Sequence, residues 1–248
     1  ILIIATYLYK NHDDFPYYHL TYSLNLSENG FIIGSGIFSH GFRTFSSLFY
    51  YNSLLYLPLI KFYLFHIGPF YILVFFSFII LHRLKQDYEN KFQFNYYFSL
   101  LSFIFVLVVF YRLAEHGTDR SAQILLLLVF IIFSEIILSK EKKVPITEIN
   151  FLILLIFLAS SMKAIYYMYF VIVPIILFNQ KFITKFFTKK NILFLITLSF
   201  SFIINILVSF FSTGCLLYPA SFTCIGNFAW SLPIYEVNKM NIHYEWWA

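Results

Sequence analysis

Apolar runs with almost no charge make up most of this chain of 248 residues. Hydrophobic residues account for 60% of it and charged residues for 12%, whereas soluble domains carry roughly 25% charged residues. Within lipid only helices and closed barrels satisfy their backbone hydrogen bonds, and barrel strands would appear as alternating segments of about 10 residues. The sequence therefore predicts an all-α, multi-pass membrane protein, and the net charge of +5 does not point to nucleic acid.

The apolar runs predict about seven membrane helices, including a hairpin of two short ones. They are Ile1 to Tyr9, Leu54 to Leu81, Phe94 to Val109, Ile124 to Leu138, Phe151 to Ser160, Ala164 to Phe178 and Ile192 to Phe211. The first run is too short to span a bilayer, so we expect the chain to lack the start of that helix. Gly68-Pro69 should interrupt the second run. Residues 20–51 are more polar and predict juxtamembrane helices in the first external loop. Residues 1–211 would form a transmembrane domain, and 212–248 the start of an extracytoplasmic segment.

The distribution of basic residues predicts the orientation. Loops 83–91, 140–143 and 181–190 hold ten of the 17 Lys and Arg residues. The positive-inside rule assigns these loops to the cytoplasm. The remaining polar stretches should then share the outer face of the membrane.

The first such stretch follows the first apolar run and contains Asp13, Asp14 and His19. A carboxylate at the membrane boundary is partly desolvated, which suits it to act as a general base. His19 would orient that base or bind the acceptor, the molecule whose hydroxyl gives up the proton. The alternative is that the adjacent acids cap a short helix.

A second polar cluster lies between two strongly apolar runs. Charges at a membrane edge are costly and tend to be functional, so the cluster is a candidate substrate site. Its members are Arg112, Glu115, His116, Asp119 and Arg120. The alternative is a salt-bridged loop between helices.

Lys163 is expected in the turn of the short helical hairpin, with no acidic neighbour in sequence. An unpaired ammonium there needs an anion, and a lipid phosphate is the anion available at that depth. Arg43 is a similar candidate, because its planar fork suits phosphate. The alternatives are a lysine that merely reaches for headgroups and an arginine that anchors the chain at the interface.

Cys215 and Cys224 are the only cysteines. In an oxidising periplasm they predict one disulfide that closes a loop. We identify no cofactor motif and assign no metal ligands, and leave open a need for a divalent metal.

The order of these polar stretches along the chain resembles the order found in a known superfamily. An outward acidic pair directly after the first helix, followed by interfacial helices, resembles the first external loop of the GT-C glycosyltransferases, where the loop acid is the catalytic base. Asp13 matches that acid. Arg112 to Arg120 is similar to the arginine and acid loop before the fourth helix of several members. Leu158 to Lys163 resembles their small-residue-rich helix end, which closes in a lysine near the donor phosphate.

This resemblance implies an enzyme of polysaccharide biosynthesis that transfers a sugar from a polyprenyl-phosphate donor. The acceptor would be a glycan, a lipid or a protein on the outer face of the membrane. Alternatives are a polymerase or ligase of O-antigen type, which should depend on many outward arginines, and a transporter or flippase. A transporter should carry charges near the membrane midplane and repeated halves. The chain shows few outward arginines and no internal repeat.

Overall fold

A computed structural model describes residues 14–89, 93–109, 117–138, 144–179, 188–226 and 228–247. These residues form helices joined by turns, and they contain no β-strand apart from isolated bridges, so the predicted all-α class is confirmed. The α-helices are α1 (Leu20–Asn29), α2 (Ser35–Phe38), α3 (Ser47–Ser53), α4 (Ile67–Glu89), α5 (Gln93–Val109), α6 (Thr118–Leu138), α7 (Ile146–Met162), α8 (Ile172–Asn179), α9 (Lys189–Thr213) and α10 (Ile234–Trp247). A π-helical turn, Phe15–His19, leads into α1, and 3₁₀ segments cover His40–Phe42, Phe62–Leu64, Ala164–Val171 and Ser221–Thr223.

In the described part of the chain, three helical segments are long and apolar enough to cross a membrane. They are Phe62–Glu89, Thr118–Leu138 and Asn191–Thr213. Three shorter apolar helices accompany them: Phe94–Val109, Ile146–Met162 and Ala164–Phe178. These lengths are compatible with a membrane protein, because a bilayer core needs roughly 20 apolar residues.

The chain divides into two compact units. We call His66–Leu198 the bundle unit, and the described residues of His12–Phe65 and Ser199–Ala248 the loop unit. The tail after Thr213 packs with the first loop, for example through the Glu236 Oε2, which lies 2.6 Å from the Arg43 Nη2. These units divide the chain at other places than the predicted boundary after residue 211.

The bundle unit is centred on the antiparallel pair α6 and α7. Branched aliphatic side chains from both helices are fully buried against each other, and a buried stripe of this kind is how an apolar helix packs on a neighbour. They include Ile124, Leu128, Ile131 and Ile132 from α6, and Ile149, Leu152, Leu155 and Ile156 from α7. Asp119 in the first turn of α6 and Glu148 in that of α7 are favourable to the helix dipole.

The loop unit has two small cores. In the first, the Tyr22 ring stacks on Phe42 with centroids 4.9 Å apart and meets Phe49 at 5.3 Å. The second surrounds the Cys215–Cys224 disulfide and buries Leu232 and Val237. An aromatic core suits short helices, because each ring buries a large area for few fixed torsions.

Some predicted helix bounds were wrong. Gly68 and Pro69 do not interrupt a helix that starts at Leu54, because they lie in the first turn of α4, where proline loses no hydrogen bond. Residues 54–61 form a turn instead. Helix α6 begins at Thr118 rather than near Ile124. The bounds predicted for α5 and α9 agree with the structure to within three residues.

Candidate functional site

The acidic stretch is described from Asp14 onward, so Asp13 lies outside the described residues. Asp14 occupies the position just before the Phe15–His19 turn, but its side chain makes no capping hydrogen bond to the helix. Asp14 thus lies at a helix start, where a carboxylate is favourable to the helix dipole, and the capping alternative stays open. The turn itself carries Pro16, whose missing N–H costs nothing at a helix start.

His19 closes this turn and is buried, with 6% of its surface exposed. Its ring lies 4.3 Å from the Tyr18 ring and 5.6 Å from the Phe49 ring, measured between centroids. The structure thus places the imidazole in the aromatic core of the loop unit. Its predicted role at the acceptor stays a prediction.

Lys163 and Asp119 form an ion pair in the bundle unit. The Lys163 Nζ lies 2.5 Å from the Asp119 Oδ1. Helix α7 ends at Met162, and Lys163 then adopts an extended backbone with φ −151° and ψ 123°, at the end of the pair where α6 begins. The expectation that Lys163 lacks a partner was therefore wrong. The contact brings Lys163 together with Asp119 of the second polar cluster at one end of the helix pair.

The surroundings of this ion pair are polar but open. The Lys163 side chain is 43% exposed and that of Asp119 is 46% exposed. The Tyr166 phenol lies near Asp119 and Gln123. An ammonium carries three N–H donors, so Lys163 can contact a further acceptor while it pairs with Asp119.

The other members of the second cluster are only partly described. Arg112, Glu115 and His116 lie outside the described residues. Arg120 lies in the first turn of α6, next to Asp119, and is partly exposed. Asp119 is thus the member of this cluster that the structure shows in contact with Lys163.

Arg43 is already engaged by protein. Its Nη2 lies 2.6 Å from the Glu236 Oε2 in α10, and its Nε donates to the Gly36 carbonyl at 3.1 Å. Its side chain is only 13% exposed. The contact ties the first loop to the tail of the chain, an arrangement that the sequence did not predict. A role in binding phosphate stays a prediction and would require Arg43 to leave Glu236.

Cys215 and Cys224 form a disulfide with an S–S distance of 2.03 Å, the pairing that the sequence predicted. It closes a short loop in which the Thr223 hydroxyl donates to the Ala220 carbonyl at 2.7 Å. Nearby, the His40 Nε2 lies 2.9 Å from the Met240 sulfur. Burial, together with the positive charges of Arg43 and His243, lowers the pKa of His40. Among the described residues no three His, Cys, Asp or Glu side chains converge as a metal site would require.

A family model matches residues 1–248, which is the whole chain. The chain belongs to the DUF8201 family, described as a domain of unknown function. No curated protein and no solved structure matches it significantly. A function for this DUF8201 chain can therefore be inferred only from its sequence and structure.

One charged group of the DUF8201 chain was missed by sequence reasoning. Arg83 in α4 contacts Glu135 of α6, and its Nη2 lies 2.8 Å from the Glu148 Oε2 of α7. The sequence predicts Arg83 in a cytoplasmic loop, but α4 continues to Glu89. The sequence does contain a sign of this contact, because Glu135 is a lone acid inside an apolar run and such an acid needs a partner. The group lies about 24 Å from Asp119 along α6, at the opposite end of the α6 and α7 pair.

Proposed function

We propose that this chain transfers a sugar from a polyprenyl-phosphate donor to an acceptor at the outer face of a bacterial inner membrane. The observation that carries the proposal is the ion pair of Lys163 with Asp119. It joins two polar segments, at the end of α7 and the start of α6, at one end of apolar helices. A phosphate-bearing lipid presents its charge at that depth.

The Lys163 ammonium suits a phosphodiester. A polyprenyl-phosphate sugar carries one negative charge on its phosphate, and an ammonium is a cation with three N–H donors. The Asp119 Oδ1 lies 2.5 Å from the Lys163 Nζ, and the Lys163 side chain is 43% exposed. A phosphate oxygen can therefore contact the exposed part of the ammonium without removing Asp119.

The chemical step is an inverting displacement. The Asp13 carboxylate takes the proton from an acceptor hydroxyl while the oxygen of that hydroxyl attacks the anomeric carbon of the sugar. The bond from that carbon to the phosphate oxygen breaks, and the polyprenyl phosphate leaves with a second negative charge. Lys163 stabilises that developing charge, which is the interaction that accelerates such a step. Asp14 assists Asp13, and His19, Arg112, Glu115, His116, Asp119 and Arg120 bind the sugar and the acceptor.

The test is complementation of a strain that lacks the full-length parent protein, with surface glycan as the readout. Asp13→Asn and Lys163→Ala should abolish the glycan, while Lys163→Arg should keep part of it because the charge remains. Lys239→Ala is a matched control, since Lys239 is an exposed lysine with no proposed role. All variants must reach the membrane in equal amounts. Normal glycan in Asp13→Asn would overturn the mechanism.

A binding measurement separates the two roles. Undecaprenyl phosphate should bind the purified full-length protein more weakly after Lys163→Ala and unchanged after Asp13→Asn, because only Lys163 is proposed to contact phosphate. Equal affinity in wild type and Lys163→Ala would remove Lys163 from the donor site and leave the role of Asp13 standing.

A further inference from the structure

The turn between α3 and the 3₁₀ segment Phe62–Leu64 is apolar at its tip. It is closed by the Lys61 amide, which donates to the Leu57 carbonyl at 2.6 Å, and by the Ile60 amide, which donates to the same carbonyl at 3.1 Å. Pro58 begins the turn, and Lys61 ends it with a φ of 54°. A turn fixed in this way holds Leu59 at its outermost point.

The exposure of this turn is unusual for its composition. Leu59 is 97% exposed, Leu54 is 77% exposed and Tyr63 is 68% exposed. Turns at a water-facing surface are built mainly from Gly, Pro, Asn, Asp and Ser. An apolar tip with this exposure marks a surface that contacts something other than water.

The position of the turn in the chain favours lipid as that partner. The next segment, Phe62–Glu89, is long and apolar enough to cross a membrane and starts one residue after Lys61. Within the described residues Lys61 has no acidic partner, and its side chain is exposed. A lysine beside apolar side chains, at the start of a span, fits the boundary where acyl chains meet phosphate headgroups.

We infer that the turn from Leu57 to Lys61 inserts Leu59 into the bilayer at this boundary, with the Lys61 ammonium on lipid phosphate. The turn thereby sets the depth at which the Phe62–Glu89 span enters the membrane. The inference does not depend on sugar transfer, and it would stand if the proposed enzyme activity failed.

Site-directed spin labelling of the full chain in vesicles of phosphatidylethanolamine and phosphatidylglycerol tests it. The native cysteines are joined in a disulfide, so Leu59→Cys can be labelled alone. Oxygen concentrates in the bilayer and a water-soluble nickel chelate is excluded from it, so the ratio of the two collision rates reports depth. Phe78→Cys, at a 71% exposed position inside the span, is the lipid reference, and Glu28→Cys, at an exposed position in α1, is the water reference.

We expect the label at position 59 to collide more with oxygen than with the nickel chelate, as at position 78 and opposite to position 28. Adding Lys61→Glu should shift the label at position 59 toward water, because the added carboxylate is repelled by phosphate. A label at position 59 as accessible to nickel as the one at position 28 would overturn the inference. A label shielded from both reagents would overturn it too, and would indicate that protein covers the turn.

Discussion

The Lys163 Nζ lies 2.5 Å from the Asp119 Oδ1, although the two residues are far apart in sequence: Asp119 lies in the first turn of α6 and Lys163 directly after the end of α7. The pair joins the end of α7 to the start of α6. Because both side chains are almost half exposed, water and salt screen their attraction. The pair therefore contributes little to stability, and its chemistry is open to a ligand.

A double-mutant cycle on this pair tests that conclusion. Asp119→Ala and Lys163→Ala should each lower the unfolding free energy by less than about 1 kcal/mol, the range for exposed ion pairs. Undecaprenyl phosphate affinity should fall in Lys163→Ala and change less in Asp119→Ala. A loss of several kcal/mol in either single variant would show that the pair is structural.

The opposite end of α6 and α7 should behave differently. Arg83 contacts Glu135 and Glu148, and its side chain is only 12% exposed. Removing one partner of a fully buried ion pair costs about 3–5 kcal/mol, because the remaining charge is left unpaired. With Glu135 at 22% and Glu148 at 40% exposure, we expect Arg83→Ala to cost about 2 kcal/mol.

Lys85→Ala is the control for Arg83→Ala. Lys85 and Glu89 are 77% and 62% exposed and lie 4.0 Å apart in the same helix. Losing that contact should cost no more than about 0.5 kcal/mol. Thermal unfolding in detergent would measure both variants, and equal losses would contradict the structural role of Arg83.

The helices that depend on residues close together in the chain were predicted from the sequence. The apolar runs Phe94 to Val109 and Ile192 to Phe211 predicted α5 and α9, because a helix satisfies its own backbone hydrogen bonds within lipid. Charge and residue type also pointed to Lys163 and Asp119 separately. Their contact with each other could not be predicted, since it depends on the packing of α6 against α7.

Partners that are distant along the chain also explain what the sequence did not predict for Arg83 and Arg43. The sequence predicts Arg83 in a loop, because charged residues normally end an apolar helix. In the structure Arg83 lies within α4 and pairs with carboxylates of two other helices. Arg43 looked available for phosphate because Glu236 lies far away along the chain. Tertiary partners of this kind become visible only in the fold.

The disulfide should stabilise the loop unit. Cys215 and Cys224 are nine positions apart, and closing a loop of that length lowers the entropy of the unfolded chain by an amount worth about 2.5 kcal/mol. Cys215→Ser with Cys224→Ser should lower the melting temperature. Reductant should lower that of wild type by a similar amount and leave the double variant unchanged. If reductant shifted both proteins equally, the disulfide would not be the cause.

The pKa of His40 gives the loop unit a pH dependence of known sign. Arg43 and His243 add to burial in lowering the pKa, while Glu236 pairs with Arg43. The unfolded chain therefore binds more protons than the folded chain between the lowered value and about 6.5. The stabilising contribution is complete above about pH 6.5 and is lost as pH falls toward the lowered value.

Thermal unfolding at a series of pH values checks this sign. The wild type should lose more stability than His40→Gln when pH falls from about 7.5 to 5.5, across the ordinary histidine range. The effect should be small, because much of the His40 surface faces solvent and only part of the side chain is desolvated. A steeper loss in His40→Gln would contradict the assignment.

Gly41 packs against the turn that follows the acidic stretch. A Cβ added at Gly41 would overlap the Tyr18 Cβ, so the Phe15–His19 turn that follows Asp14 rests directly on this glycine. Gly41→Ala must push that turn away, at a cost of about 1–3 kcal/mol for overpacking. If Asp13 and Asp14 act on substrate, sugar transfer should fall more than stability does, because a small displacement of a catalytic group costs much of the rate. Gly226→Ala is the matched control, because its Cβ would meet the flexible Ile234 side chain at 3.2 Å and the Leu232 carbonyl oxygen at an ordinary contact distance of 3.9 Å. Equal glycan and equal melting temperatures in the two variants would show that the turn tolerates displacement, and that the acids do not depend on it.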